Sequence, residues 1–229
     1  MDIAIIGNGI AGVTAARYIR KLSDHNIHLI SSESKNFFSR TALMYIYMGH
    51  MRKEDTQPYE EWFWEKNRIN RIQDHVVDIQ FEQKNLHFQS GKDLKYDKLI
   101  LALGSEPNKF GWPGQDLNRV GGLYTLQDLE AMEAASDGLK RAVIVGGGLI
   151  GIEMAEMFAS RNIPVTFLVR EASFWNGVMP PEESAMINRH ILEHHIDLRL
   201  STELDRIEDD GNGNAHAVYT KDGERIDCG

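Results

Sequence analysis

Ile3-Ala4-Ile5-Ile6-Gly7-Asn8-Gly9-Ile10-Ala11-Gly12, at the start of the chain, decides how the rest is read. Four apolar, mostly β-branched residues predict a short buried strand. Gly7, Gly9 and Gly12 follow in the spacing GxGxxG. The first glycine permits a tight strand-to-helix turn, and the second lets the backbone approach a pyrophosphate. The third lets the helix pack closely on the strand. The helix that opens there turns unpaired N–H groups and the positive end of its dipole toward phosphate.

The design recurs 139 positions later, where Ala142-Val143-Ile144-Val145 runs into Gly146, Gly148 and Gly151. A lone glycine motif is weak evidence, because glycine-rich turns are common. Two copies, each opening a helix after a buried strand, are far more specific. The expected fold class is therefore α/β, with two Rossmann-like dinucleotide-binding domains. Residues 1–112 and 113–229 are their expected extents, and Pro107–Gly122, rich in glycine and proline, is the expected linker.

A Rossmann site places a carboxylate about 20 residues beyond the glycines, at the end of the second strand, to hold ribose hydroxyls. In the first unit that strand is Ile27–Ile30, and Glu33, 21 positions after Gly12, is the candidate. In the second unit the strand is Val165–Val169, so the strand-end position is Val169. Arg170 there suits the 2′-phosphate of NADPH and Glu171 suits the 2′-hydroxyl of NADH, and the sequence leaves both open.

Between the glycine motifs, strands are expected at Val76–Ile79, Asn85–Gln89 and Leu94–Leu103, and a short aromatic helix at Tyr59–Lys66. Trp62 and Trp64 on that helix are assigned to packing. Beyond Gly122, helices are expected at Leu126–Ala135 and Met186–His194, and a strand at Ala215–Tyr219.

The 229 residues are 42% hydrophobic and 26% charged, ordinary for a globular protein. A net charge of −9 argues against non-specific binding to nucleic acid or anionic membrane. The apolar run before Gly7 is too short for a signal peptide or a membrane span, so a cytoplasmic protein is expected. Cys228 is the single cysteine, which excludes an internal disulfide and a cysteine metal cluster. His190 and His194 stand four apart on a helix but lack a third ligand in an HExxH arrangement, so no metal site is expected.

Taken together, these segments resemble the pyridine nucleotide–disulfide oxidoreductase superfamily over essentially the whole chain. Gly7–Gly12 is similar to the family's FAD motif and Gly146–Glu156 to its NAD(P) motif. Tyr96-Asp97-Lys98-Leu99-Ile100-Leu101-Ala102-Leu103-Gly104-Ser105-Glu106-Pro107 resembles its YDxLhhATGSxP segment, with Leu103 where threonine is usual. Phe38-Ser39-Arg40-Thr41-Ala42-Leu43 resembles the YxRPxL segment of the ferredoxin, rubredoxin and nitrite reductase-type branch. Phe38 replaces its tyrosine and Thr41 its proline. The disulfide reductases carry a cysteine pair after the first Rossmann unit, and a neighbouring branch carries a single cysteine there. This sequence has neither, which sets thiolate–disulfide chemistry aside.

The resemblance implies FAD and NAD(P)H as cofactors, with hydride passing from NAD(P)H to FAD. The electrons then go to an acceptor other than a disulfide: an iron–sulfur protein or fused redox domain, a metal centre, a quinone or oxygen. It implies FAD contacts from Gly7, Gly9, Ile10, Ala11, Gly12, Glu33, Arg40, Val77, Ala102, Leu103 and Gly104. It implies NAD(P)H contacts from Gly146, Gly148, Leu149, Ile150, Gly151, Glu153 and Arg170. Arg40 would lie close to the flavin, and Glu153 would face the nicotinamide as an orienting residue. The family's chain returns after the NAD(P) domain to complete the FAD domain. This sequence is therefore expected to be an N-terminal part, its second domain inserted in a first whose C-terminal portion is missing. A non-catalytic nucleotide-binding module and a flavin monooxygenase are the alternative readings.

Overall fold

The computed structural model describes all 229 residues. They form two compact units, Met1–Glu106 with Thr125–Gln127, and Pro107–Tyr124 with Asp128–Gly229.

The first unit contains strand β1 (Asp2–Ile6), helix α1 (Ile10–Leu22), β2 (Asn26–Ser31), short helices α2 (Leu43–Tyr47) and α3 (Glu61–Lys66), and β3 (Ile69–Gln73). β4 (Val76–Gln80), β5 (Asn85–Phe88), β6 (Asp93–Lys95) and β7 (Lys98–Leu101) follow. A parallel sheet has the order β3-β2-β1-β7, in which β3-β2-β1 is the Rossmann order of one mononucleotide-binding half and β7 lies on the far side of β1. Ile6 at the end of β1 lies opposite Ile30 on one side and Leu101 on the other. Ala4, Ile5 and Ile30 are wholly buried, and α1 lays Val13 and Ala16 into the core that contains Ile5. Each large apolar side chain so buried contributes about 1.5–3 kcal/mol relative to exposure.

Arg20 anchors the far end of α1. Its guanidinium donates to the carbonyls of Asn67 at 2.7 Å, Ser23 at 3.0 Å and His25 at 2.5 Å. A cation there also complements the negative end of the helix.

The expected strand Leu94–Leu103 is two strands in two sheets. β6 belongs to the antiparallel sheet β4-β5-β6, whereas β7 joins the parallel sheet beside β1. The crossing falls at Tyr96-Asp97, where the Tyr96 amide donates to Lys84 and the Asp97 amide to Asp2. β3 was not expected from sequence. It is an edge strand whose residues mix Ile69 and Ile72 with Asn70, Arg71 and Gln73, so apolar patterning is faint.

Helix α4 (Leu126–Ser136) begins in the segment grouped with the first unit. The second unit then has β8 (Ala142–Val145), α5 (Leu149–Ser160), β9 (Val165–Leu168), α6 (Pro181–Glu193) and β10 (Asp197–Arg199). β11 (Leu204–Asp209), β12 (Ala215–Thr220) and β13 (Arg225–Asp227) complete it. The parallel sheet order is β10-β9-β8, and β11-β12-β13 forms an antiparallel meander. Phe167 and Val169 are wholly buried, as are Ala155 and Met157 on α5.

α6 starts five residues before the expected Met186. Pro181 suits the first helical turn, and Glu182 and Glu183 complement the positive helix end. The expected linker is without helix or strand, mostly exposed, and tied to the antiparallel meander at two points. Ile207 on β11 donates to the Pro113 carbonyl at 2.8 Å, and Ala215 on β12 donates to the Asn118 carbonyl at 3.0 Å. No helix is long and apolar enough to cross a membrane.

Candidate dinucleotide-binding sites

Both glycine loops have the same construction. The Gly7 amide donates to Ile30 at 2.8 Å and the Gly146 amide to Leu168 at 3.0 Å, so each loop starts tied to the second strand of its sheet. Gly7 and Gly146 have φ of +110° and +119°, which side chains with a Cβ rarely adopt. Gly12 and Gly151 press the helix on the loop. A Cβ there would lie 1.8 Å from the Gly7 carbonyl oxygen and 2.2 Å from that of Gly146.

The middle glycines differ. Gly9 and Gly148 have ordinary extended backbones, and a Cβ on either would meet nothing within 4 Å. Neither conformation nor packing within the chain requires glycine at these two positions. Both cap a helix, α1 or α5, that has no side-chain cap and no acidic residue in its first turn. Open space over a glycine, at an uncapped positive helix end, has the room and the charge to take a pyrophosphate.

Apolar side chains lie bare around each glycine loop. Ile10 is 71% exposed, and Leu103 is exposed in the segment after β7. That segment adjoins the loop, because the Ala102 amide donates to Ile6 at 2.8 Å and the Ala102 carbonyl oxygen would sit 2.0 Å from a Cβ on Gly7. In the second unit Leu149 is exposed and Ile150 is 62% exposed. Ala11 and Gly104 are also exposed. Val77 is exposed on β4, in the antiparallel sheet.

Glu33 and Arg40 meet as a fork. Arg40 Nη1 donates to Glu33 Oε1 at 3.0 Å and Nη2 to Oε2 at 2.6 Å. The carboxylate side chain is 14% exposed and the guanidinium side chain 29%. The Leu126 amide donates to Glu33 Oε1 at 2.8 Å, and Gln127 Nε2 donates to the Glu33 carbonyl at 3.0 Å. Asn8, buried within the first glycine loop, donates from Nδ2 to the Ser34 carbonyl at 2.7 Å, linking it to the loop that carries Glu33. Asn8, Leu126 and Gln127 carry no sequence signal for this role, since the partners are mostly backbone groups far along the chain.

In the second unit Glu153 is half-buried as the fifth residue of α5. Val169 is wholly buried, and Arg170 is exposed with its Nε donating to Glu171 Oε1 at 2.7 Å. Glu171 is held below the usual carboxylate range chiefly by that hydrogen bond.

Trp64 is core, 1% exposed under the Arg71 guanidinium, which lies 5.1 Å from the ring centre. Trp62 is surface, with Lys66 over its ring. His190 and His194 lie with ring centres 4.2 Å apart and their planes inclined at 59°, and no group of three or more His, Cys, Asp or Glu side chains could hold a metal. Cys228 packs against Leu168, Leu204, Val218 and Ile226, and burial raises its thiol above the ordinary value.

Two Rossmann-like units, each with an open glycine loop at a helix N-terminus, define a double Rossmann-type protein. The chain belongs to the pyridine nucleotide-disulphide oxidoreductase family, whose model matches residues 1–229. It is 30% identical over 226 residues to the ferredoxin–NAD(+) reductase component of a biphenyl dioxygenase system from Paraburkholderia xenovorans, covering 98% of this chain and 55% of that protein. It is 31% identical over 209 residues to a nitric oxide reductase FlRd–NAD(+) reductase of Salmonella typhimurium, covering 90% of this chain and 55% of the relative. Among solved structures, the putidaredoxin reductase–putidaredoxin complex matches with a TM-score of 0.85 and 26% identity, over 99% of this chain and 56% of the matched chain. A ferredoxin reductase from Rhodopseudomonas palustris matches with a TM-score of 0.88 and 24% identity, over 99% and 56% of the two chains. The chain thus spans about half the length of these relatives.

Proposed function

We propose that this chain is the dinucleotide-binding part of a flavoprotein reductase, with FAD on the first unit and NAD(P)H on the second. The observation that carries the reading is the pair of middle glycines, Gly9 and Gly148, each with open space where a Cβ would stand at an uncapped helix end. FAD supplies the chemistry of taking up a hydride from NAD(P)H and passing electrons on. The protein's part is to hold and orient. The N-terminal amides of α1 and α5 bind the pyrophosphates, Glu33 holds the FAD ribose, and Arg40 places a fixed cation beside it. Glu153 orients the nicotinamide.

The acceptor in this proposal is a small redox protein or a fused redox domain, supported by the names of the relatives, which are reductases of ferredoxin and of FlRd. Disulfide chemistry is left out because Cys228, the one thiol in this sequence, lies half-buried against an apolar cluster of the second unit. A cytoplasmic setting, where NAD(P)H is abundant, completes the proposal.

The test is to load the protein with FAD, remove the excess, and follow the visible flavin band anaerobically as NADH or NADPH is added. Bleaching by a nucleotide, then recovery on adding an oxidised ferredoxin, is the expected result. A bound flavin that neither nucleotide bleaches would refute the reductase reading.

A further inference from the structure

The sequence leaves open which nucleotide the second unit takes, and three neighbouring residues after β9 bear on it. Because the Gly146 amide donates to Leu168, Val169 is the first residue beyond that tie and stands at the glycine loop. Its side chain packs against the loop, since a Cβ on Gly147 would come within 2.7 Å of Val169 Cγ1. Val169 is 0% exposed. The position where a Rossmann site presents a carboxylate to the ribose hydroxyls is thus filled by buried hydrocarbon, and a 2′-hydroxyl finds no acceptor there.

The next residue is Arg170, whose side chain is 76% exposed. Its bond to Glu171 uses Nε, and the two terminal nitrogens of a guanidinium form a planar pair of donors matched to phosphate oxygens. The Arg170–Glu171 pair is exposed and therefore weak. Glu203 also lies within the electrostatic reach of Arg170. These two carboxylates oppose an incoming phosphate, but at an exposed site water and salt screen them. Direct guanidinium–phosphate contact is screened least.

We propose that Arg170 selects NADPH over NADH by binding the 2′-phosphate, with Val169 removing the ribose acceptor that NADH would need. The inference rests on the second unit being the NAD(P)H site. Glu171 is then an opposing charge, not a ribose ligand, and this separates the two cofactor choices experimentally.

The test uses adenosine 2′,5′-bisphosphate and 5′-AMP as probes, titrated calorimetrically into the FAD-loaded protein, so that the readout needs no electron transfer. The bisphosphate is expected to bind at least about tenfold more tightly, as a hydrogen-bonded charge pair warrants. Arg170→Ala is expected to abolish that difference while leaving 5′-AMP affinity unchanged. Glu171→Gln is expected to tighten the bisphosphate and spare 5′-AMP. Equal binding of the two probes, or an Arg170→Ala protein that keeps the preference, overturns the inference while leaving the nucleotide site in place. Weaker 5′-AMP binding in Glu171→Gln makes Glu171 the ribose ligand and overturns it too. Binding of neither probe removes the nucleotide site itself, and the inference with it.

Discussion

Arg40 grips both carboxylate oxygens of Glu33, and the Leu126 amide reaches the same carboxylate from the start of α4. A carboxylate accepts about four hydrogen bonds, so three donors leave capacity for one more, the one proposed for a ribose hydroxyl. Arg40 thereby fixes the orientation of the residue proposed to hold the cofactor.

Glu33→Gln keeps the shape and loses the charge. With a mostly buried guanidinium left short of its anion, a loss of about 2 kcal/mol in unfolding free energy is expected. FAD should also bind about tenfold more weakly, since one ribose bond to a charged acceptor is lost. Urea unfolding and flavin-fluorescence titration measure the two effects. An unchanged FAD affinity would leave Glu33 a purely structural residue.

The glycine loops separate folding from binding. Gly12→Ala puts a methyl group 1.8 Å from a backbone oxygen, so the helix must move off the strand and the thermal midpoint should fall. Gly9→Val adds its atoms to open space, so the fold should tolerate it while FAD retention is lost. Thermal melts of the apoproteins beside flavin binding would show the split. A Gly9→Val protein that holds FAD as well as the parent would remove the pyrophosphate assignment.

That division also marks what the sequence could express. Gly7, Gly9 and Gly12 signal a loop through residue type and spacing alone, so both Rossmann openings were legible. The apolar strands β1 and β8 were legible for the same reason. β3 was not, because at a sheet edge Asn70 and Arg71 are tolerated and alternation is lost. The break between β6 and β7 was hidden because no glycine or proline marks it, and what divides them is a pair of backbone bonds to Lys84 and Asp2. The Glu33–Arg40 pairing was partly legible, since both residues were candidates, but the Leu126 amide was not. It stands 93 positions away, and backbone donors leave no trace in residue identity.

Cys228 is set apart from the proposed chemistry by its surroundings. Burial raises its thiol above the ordinary value, and the thiolate is the reactive form. Cys228→Ser should leave flavin reduction by NAD(P)H unchanged. A thiol reagent at pH 7 should modify the folded protein much more slowly than the urea-unfolded protein. Fast labelling of the folded protein with loss of flavin reduction would bring sulfur chemistry back into consideration.

Acid should weaken the first unit through Glu61. Its carboxylate bonds Arg71 at 2.5 Å and Lys35 at 2.9 Å. These partners, Arg71 foremost, lower its pKa from 4.5 to about 2. A carboxyl whose folded value lies below its unfolded value releases its proton more readily in the native state. Its contribution is complete above the unfolded value and disappears as pH falls from about 4.5 toward 2. Because Glu61 is more than half exposed, solvent screens the pair and the effect is modest. Arg71 is the better-buried partner, at 8% exposure, and it stacks on Trp64, so the loss is felt in the aromatic core beneath it. Urea unfolding of the parent and of Glu61→Gln should therefore differ at pH 7, with the variant less stable. The difference should close near pH 2, where the parent carboxyl is itself half-protonated or more. A gap of constant size across that range would mean that Glu61 acts through packing and not through its charge.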